Sequence, residues 1–260
     1  MRFTADHDLH IHSQLSSCSG DPEQTVERIF EYGEQNGLKT ICITDHHWDA
    51  RVEGASNWYK KQGDIFSVLP LPQSDKCRFL FGCETDMDKY FKIGLSQEEM
   101  EKYDFFIVPT THLHMKNFTF DECHDNVADK TVLFIKRFEA FLNAELPFHK
   151  VGLAHITCPL IHKEEDGYLK VLDGVSDSKF EELFGGCAER GCGVELNFGI
   201  PEDEKTLETV LRPYKIAKAM GCKFYFGSDA HHVSSLENAK ARFEKTIDLL
   251  DLKETDKFVI

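Results

Sequence analysis

Short apolar runs in this chain repeatedly end in side chains that bind metal ions. The first run carries His10 and His12, and the last, residues 223–228, leads into Asp229 and His231. Further runs precede other candidate ligands: His46, Glu84, His112 with His114, His155, and Glu195 with Asn197. A parallel barrel gathers the C-terminal ends of its strands at one mouth. Imidazole and carboxylate groups delivered there by seven strands predict a site for several metal ions.

Helical periodicity alternates with these apolar runs, which is typical of α/β proteins with a parallel barrel. Strands are expected over 7–13, 39–45, 78–84, 104–109, 150–155, 192–198 and 223–228. Helices are expected over 22–36, 126–145, 203–220 and 235–250, with an unusually long connection over 47–77. No repeat or low-complexity linker divides the chain, so we predict one domain over residues 1–260.

Charge and cysteine content narrow the class of protein. The net charge of −15 argues against a broad contact with long nucleic acid but leaves room for a small anionic substrate. Nine cysteines, an odd number without a Cys-x-x-Cys pair, predict a reduced, cytoplasmic protein. No apolar stretch approaches the roughly 20 residues of a membrane helix, and we expect no signal peptide at the N-terminus. Nothing in the sequence specifies an oligomeric state.

Residues two apart on a strand share a face, so His10 and His12 are expected to bind one ion together, and Asp229 and His231 repeat that spacing. These donors suit zinc, manganese or iron. Two ions roughly 3.5–4 Å apart activate water for hydrolysis. Structural interpretations compete at single positions: Asp229 also suits a helix cap, and Asp21 suits the N-cap of the first predicted helix.

Four segments in this order resemble the PHP (polymerase and histidinol phosphatase) superfamily of metal-dependent phosphoesterases. They are residues 8–13, residues 43–46, His155 after a strand, and residues 227–231, with Glu84 at the usual bridging position. The resemblance implies a distorted (β/α)₇ TIM-like barrel with two or three divalent metal ions.

The resemblance also implies a role for each ligand. One ion would be held by His10, His12, Glu84 and Asp229. A second would be held by Glu84 with His112 and His155, and His46 and His231 would help to hold a third. His114 is the alternative to His112, or a substrate ligand.

One position departs from the family pattern. Members with a third ion often carry a further histidine six residues beyond the second histidine of the first motif, and here that position holds Cys18. Cys18 as thiolate, or Asp21 in its place, would then complete the third site, or that site would be weak or empty. For this reason we do not transfer histidinol phosphate as the substrate.

We therefore expect an enzyme that hydrolyses a small phosphomonoester through attack by a metal-bridging hydroxide. Asp229 or a neighbouring histidine, His231 or His46, would guide a proton to the leaving alkoxide. Arg51, Lys60 and Lys116, all in loops after strands, are candidate substrate contacts.

Three alternatives stay open at this point. The first is a phosphodiesterase or nucleotide phosphatase of the same family. The second is an amidohydrolase-like enzyme that hydrolyses a C–N bond. The third is a catalytically silent metal-binding module.

Overall fold

A computed structural model describes residues 1–260. Seven parallel strands form one sheet in chain order, from β1 to β7, and with eight helices they make up a TIM-like α/β fold. The predicted fold class is confirmed. The strands are β1 His7–Ile11, β2 Thr40–Ile43, β3 Arg78–Glu84, β4 Phe105–Pro109, β5 Val151–Ala154, β6 Gly193–Leu196 and β7 Lys223–Phe226.

The helices lie in the connections between strands and after the last strand. They are α1 Val26–Gln35, α2 Gln97–Met100, α3 Val127–Asn143, α4 Gly167–Gly174, α5 Asp177–Arg190, α6 Glu204–Ala219, α7 Val233–Glu237 and α8 Ala239–Leu250. None of them combines the length and the apolar character that crossing a membrane requires. All nine cysteines are free thiols.

The chain divides into two compact units. The first unit comprises residues 1–85, 94–107 and 225–260, and the second comprises residues 86–93 and 108–224. In the first unit, His7 of β1 aligns with Thr40 of β2, and Thr40 aligns with Arg78 of β3. The segment after β7 pairs in parallel with the end of β1, where the His12 amide donates to the Ala230 carbonyl at 3.1 Å. This pairing places the residues that follow β1 beside those that follow β7.

The core of the second unit is aromatic. Strands β5 and β6 pair in parallel, with Gly152 opposite Gly193. Helix α3 buries Phe134 and Phe138 against α5, and the Phe138 ring meets Phe184 edge to face at 5.4 Å between centroids. Edge-to-face packing adds to the burial of apolar area and fixes α3 in place.

Two helix predictions need correction, and the helices between β5 and β6 were not predicted. Helix α1 begins at Val26 rather than at residue 22, because the Thr25 side chain accepts the Arg28 amide as N-cap. The helix predicted over 235–250 is two helices, α7 and α8, with a break at Asn238. Two further helices, α4 and α5, lie between β5 and β6, where the sequence analysis assigned none.

The long connection over 47–77 contains no strand. It forms two short 3₁₀ turns, Tyr59–Lys61 and Ile65–Val68, and it buries Trp48, Tyr59 and Ile65. The Trp48 indole N–H donates to the Val52 carbonyl at 2.8 Å. The connection is therefore ordered by its own aromatic side chains.

Candidate metal centre

Four predicted ligands converge in the first unit at the C-terminal ends of β1, β3 and β7. His10 Nε2 lies 3.0 Å from His12 Nε2, and each of these nitrogens lies 3.2 Å from Asp229 Oδ1. Glu84 Oε2 lies 3.2 Å from His12 Nε2 and 3.5 Å from His10 Nε2. Ligands about 2.0–2.1 Å from a tetrahedral ion lie roughly 3.3 Å from one another. His10 and His12 thus have the spacing of metal ligands with respect to each other, to Glu84 and to Asp229, and we call the four side chains the carboxylate cluster.

The acidic and basic groups of the carboxylate cluster shift one another's pKa values. Burial alone disfavours the carboxylate of Glu84, but His46 and His10 keep its pKa well below the usual range. Burial also disfavours a charged His12, but hydrogen bonds to Asp229 and Glu84 raise the pKa of His12 to about 9. In the metal-free chain, protons therefore occupy positions where a divalent cation would be attracted, and metal binding would release them.

A hydrogen-bond chain fixes the tautomer of His12. Ser16 Oγ donates to Asp45 Oδ1 at 2.7 Å and lies 3.0 Å from His12 Nδ1. A hydroxyl has only one proton, so Ser16 accepts from the Nδ1–H of His12. Loss of the other ring proton, which faces Glu84 and Asp229, would therefore leave the lone pair of His12 on Nε2, as expected of a metal-binding histidine.

A second donor group, which we call the thiol cluster, consists of Cys18, His46 and His231. His231 Nε2 lies 3.1 Å from Cys18 Sγ, and His46 Nδ1 lies 3.3 Å from Glu84 Oε2. The donor atoms of these three residues and of His12 all lie within 4.8 Å of one another. Burial and the carboxylates of Glu84 and Asp229 raise the pKa of Cys18 to about 12, so the metal-free side chain is a thiol.

The second unit brings His112 and His155 together. Their rings stack with centroids 4.9 Å apart, and both side chains are buried. His112 Nδ1 lies 2.9 Å from Asp86 Oδ1, and His155 Nδ1 lies 3.0 Å from Thr111 Oγ1. An Nδ1–H donated to the Asp86 carboxylate leaves the lone pair of His112 on Nε2, the tautomer that binds metal.

Helix α3 supports the loop that carries His112. The fully buried guanidinium of Arg137 donates to backbone carbonyls before and after that loop. Its acceptors are Met87, Asp88, Pro109, Thr110 and Thr119, at 2.8–3.5 Å. Two turns earlier on the helix, buried Lys130 donates to the Leu113 carbonyl, and its ammonium lies 3.1 Å from the centroid of the Phe120 ring.

Two of the predicted ligands have strained backbones. Asp229 has a φ of +52° and His155 has a φ of +26°, and residues other than glycine rarely adopt such positive values. Strain of this kind is concentrated at functional sites, where the surrounding contacts enforce it. Here the Asp229 amide donates to the His10 carbonyl at 2.8 Å, and the His155 amide donates to Glu195 Oε2 at 2.6 Å.

Asp21 and His114, the two alternative ligands, lie in surroundings that differ from those of the two clusters. The Asp21 carboxylate accepts the Glu23 amide at 2.9 Å and the Val233 amide at 3.2 Å, so it joins the loop after β1 to the start of α7. The His114 side chain is exposed, with its ring 5.3 Å from that of His112.

The three basic candidates for substrate binding also differ in their surroundings. All parts of the Arg51 guanidinium are engaged, because it pairs with Asp49, Glu98 and Glu99 at 2.6–3.0 Å. Lys116 pairs with Glu122 at 2.9 Å. Lys60 is exposed on a 3₁₀ turn, two residues after Trp58, whose ring lies 4.7 Å from that of His46. Of the three, Lys60 has the surroundings that suit an anion best.

The sequence analysis did not single out several residues that orient the ligands. Ser16 and Asp45 orient His12, Asp86 orients His112, and Thr111 contacts His155. Asp86 lies two residues after Glu84, and this spacing was a signal for a second carboxylate on the same face. The Ser16–Asp45 contact joins residues 29 apart in the chain and has no local signal.

In each unit the donors fit divalent metal ions, because buried histidines lie beside carboxylates and the second ring nitrogens of His12 and His112 are hydrogen-bonded. No curated protein sequence matches the chain. The family model of the PHP domain matches residues 8–199, a segment that contains all the predicted ligands except Asp229 and His231.

Two solved structures share the fold. Histidinol phosphate phosphatase from Lactococcus lactis subsp. lactis, in complex with zinc, L-histidinol and phosphate, matches with a TM-score of 0.61 at 16% identity, over 98% of this chain and 99% of that one. The putative histidinol phosphatase from Listeria monocytogenes matches with a TM-score of 0.64 at 14% identity, over 91% of this chain and 99% of that one. Since the family model covers most of the sequence and the fold agrees with it, the chain belongs to the PHP domain family.

Proposed function

We propose that this protein is a metal-dependent phosphoesterase that hydrolyses a small phosphomonoester. The observation that carries the proposal is the carboxylate cluster of a PHP-family chain, in which each of two histidines lies within 3.5 Å of two carboxylates. The family membership supports the reaction class, and the buried, pre-oriented donors support a working rather than a degenerate site.

We assign the ligands as the family resemblance implies. His10, His12, Glu84 and Asp229 would hold one ion. His112 and His155 would help to hold a second, and His46 and His231 would help to hold a third. When bound, two or three ions of zinc, manganese or iron would activate water as the nucleophile and neutralise the charge that develops on the phosphoryl oxygens.

The protein itself would orient the ligands and move a proton. Asp45 acts through Ser16 to keep His12 Nε2 directed at the carboxylate cluster. The Asp229 side chain is 31% exposed and that of His231 is 25% exposed, whereas that of Glu84 is 2% exposed. Asp229 and His231 are therefore the groups of the first unit best placed to exchange a proton between the leaving alkoxide and solvent, with His46 beside them.

Charge and surroundings support a small phosphorylated substrate. A net charge of −15 disfavours long nucleic acid. The Lactococcus enzyme binds L-histidinol and phosphate, and this supports a small phosphate ester as the substrate class here. Lys60 is our candidate for a contact with the substrate anion. We further propose one catalytic domain over residues 1–260 and a reducing, cytoplasmic location, which the nine free thiols support.

An assay of metal-reconstituted protein on three chromogenic substrates tests the proposal. We expect p-nitrophenyl phosphate to be hydrolysed faster than bis(p-nitrophenyl) phosphate, and a p-nitroanilide not at all. Faster diester cleavage would instead indicate a phosphodiesterase, and activity on the anilide alone a C–N hydrolase. Less than one ion per chain in protein purified without chelators, with no activity, would indicate a silent module.

A further inference from the structure

We propose that Cys18, His46 and His231 form a thiolate-containing metal site that prefers thiophilic ions such as Zn²⁺ over Mn²⁺. The carboxylate cluster beside it has no sulfur donor, so one chain would hold two metal sites of different chemical character. The inference rests on the proposed function, which assigns His46 and His231 to a third ion, and it adds Cys18 as a ligand and the preference for zinc.

The sulfur and an imidazole nitrogen of this site already face each other. Cys18 Sγ lies 3.1 Å from His231 Nε2, although the residues are 213 positions apart in the chain. His231 Nδ1 lies 2.8 Å from the Asp229 carbonyl, which only accepts hydrogen bonds. His231 therefore carries its proton on Nδ1, and the lone pair on Nε2 points at the thiol. In a tetrahedral zinc site, sulfur and nitrogen ligands lie about 3.5 Å apart, so the pair needs to open by only a few tenths of an ångström.

His12 is close to this site but belongs to the carboxylate cluster. Its ring lies between those of His46 and His231, with centroids 4.6 and 4.2 Å away. Its Nδ1 is bound to Ser16, and its Nε2 faces Glu84 and Asp229. The ligands left for the thiol cluster are one sulfur and two imidazoles, with a further position for solvent or substrate.

The loop around Cys18 is fixed on both sides of the sulfur. Before it, Ser16 Oγ binds Asp45 and accepts the His46 amide at 3.2 Å. The amide of Ser17 donates to Gln62 Oε1 at 2.8 Å. After it, Ser19 Oγ donates to the His231 carbonyl at 2.5 Å. These contacts join the loop to the elements that carry His46 and His231, so the position of the thiol is built into the fold.

Donor chemistry predicts which ion the site takes. Thiolate ligands favour zinc and other thiophilic ions, whereas carboxylate-rich sites suit manganese. Metal binding would displace the thiol proton, because only the thiolate is a ligand. Protein incubated with a mixture of Zn²⁺ and Mn²⁺ should therefore bind zinc preferentially in the thiol cluster.

Cobalt spectroscopy tests this proposal without relying on activity. Metal-free protein titrated with Co²⁺ should develop a sulfur-to-cobalt charge-transfer band in the near ultraviolet. Cys18→Ser should lose that band and should bind Zn²⁺ at one site at least ~10-fold more weakly. Cys123→Ser is the matched control, because Cys123 is the other exposed cysteine, and it should behave as the wild type. Circular dichroism establishes that each variant is folded.

Two outcomes would overturn the proposal: no charge-transfer band in the wild type, or an equal band in Cys18→Ser. The proposed thiolate site and the proposed function can fail independently, and the experiments distinguish the two cases. A cobalt protein that hydrolyses phosphate esters without the band would retain the function and lose the thiolate site. A protein with the band but without phosphatase activity under any metal would retain the site and lose the function.

Alkylation provides a second readout. In metal-free protein at alkaline pH, iodoacetamide should modify Cys123 first and Cys18 more slowly, because Cys18 is a protonated thiol, and saturating Zn²⁺ should abolish the modification of Cys18 alone. Equal modification of Cys18 with and without Zn²⁺ would contradict coordination by its sulfur. Mass spectrometry of the two peptides measures both sites in one sample.

Discussion

The two compact units support their histidines in different ways. In the first unit, short polar side chains of the loops orient the ligands directly, as Ser16 and Asp45 do for His12. In the second unit, two buried cations of α3, Lys130 and Arg137, donate hydrogen bonds to backbone carbonyls of the loop that carries His112. Side-chain hydrogen bonds thus orient the histidines in both units, as Asp86 does for His112, and the second unit adds buried cations that fix the backbone of the ligand loop.

The largest effect is expected from the loss of Glu84, the carboxylate that lies beside both His10 and His12. Glu84→Ala should lower kcat/KM by about 10³-fold or more, because it removes a ligand whose loss costs several kcal/mol of transition-state stabilisation. The content of bound metal should fall while the circular dichroism spectrum is retained, because residues at the mouth of a barrel contribute little to its core. Unchanged metal content in this variant would contradict our assignment of Glu84.

In the second unit, loss of Arg137 should act on stability first. Arg137→Met leaves several buried carbonyls without a donor, so the free energy of unfolding should fall by about 3–5 kcal/mol in urea denaturation. Arg28→Met is the control, since Arg28 is exposed and pairs only with Glu31 on the same helix. That variant should lose less than about 0.5 kcal/mol. Similar losses in both variants would show that Arg137 does not support the loop.

In the first unit, loss of Asp45 should act on the site more than on stability. Asp45→Asn keeps an oxygen at the Oδ1 position for the Ser13 amide and the Ser16 hydroxyl, but it removes the negative charge behind Ser16 and so weakens the orientation and basicity of His12. Metal affinity or activity should fall roughly 10–100-fold. Asp64→Asn, at the exposed cap of a 3₁₀ turn, is the matched control and should match the wild type. A wild-type metal affinity and activity in Asp45→Asn would show that Asp45 does not support His12.

The smallest effect concerns the pH dependence of stability in the second unit. Burial outweighs the attraction of Asp125 and lowers the pKa of Lys130 to about 8. Above that pH the folded chain releases a proton that the unfolded chain still holds, so stability rises with pH, by at most about 1.4 kcal/mol per pH unit. Urea denaturation of metal-free protein at pH 8 and pH 9.5 should show this rise. The rise should be smaller in Lys130→Met, and equal pH dependence in both proteins would contradict the assignment.

The strands and most predicted ligands could be located from the sequence because both depend on local patterns. A buried parallel strand is an apolar run, such as Phe105–Pro109, and a ligand at its end follows within a few residues. The start of α1 was mispredicted because Asp21 and Thr25 are both good N-caps, and tertiary contacts gave Asp21 another role. Contacts such as Cys18 with His231 join distant parts of the chain, and only the fold reveals them.

A crystal structure of the zinc-loaded protein, with anomalous scattering recorded at the zinc edge, tests the central claim most directly. We predict a zinc peak among His10, His12, Glu84 and Asp229. Zinc bound elsewhere on the protein, with these four side chains contacting only one another and solvent, would contradict the account.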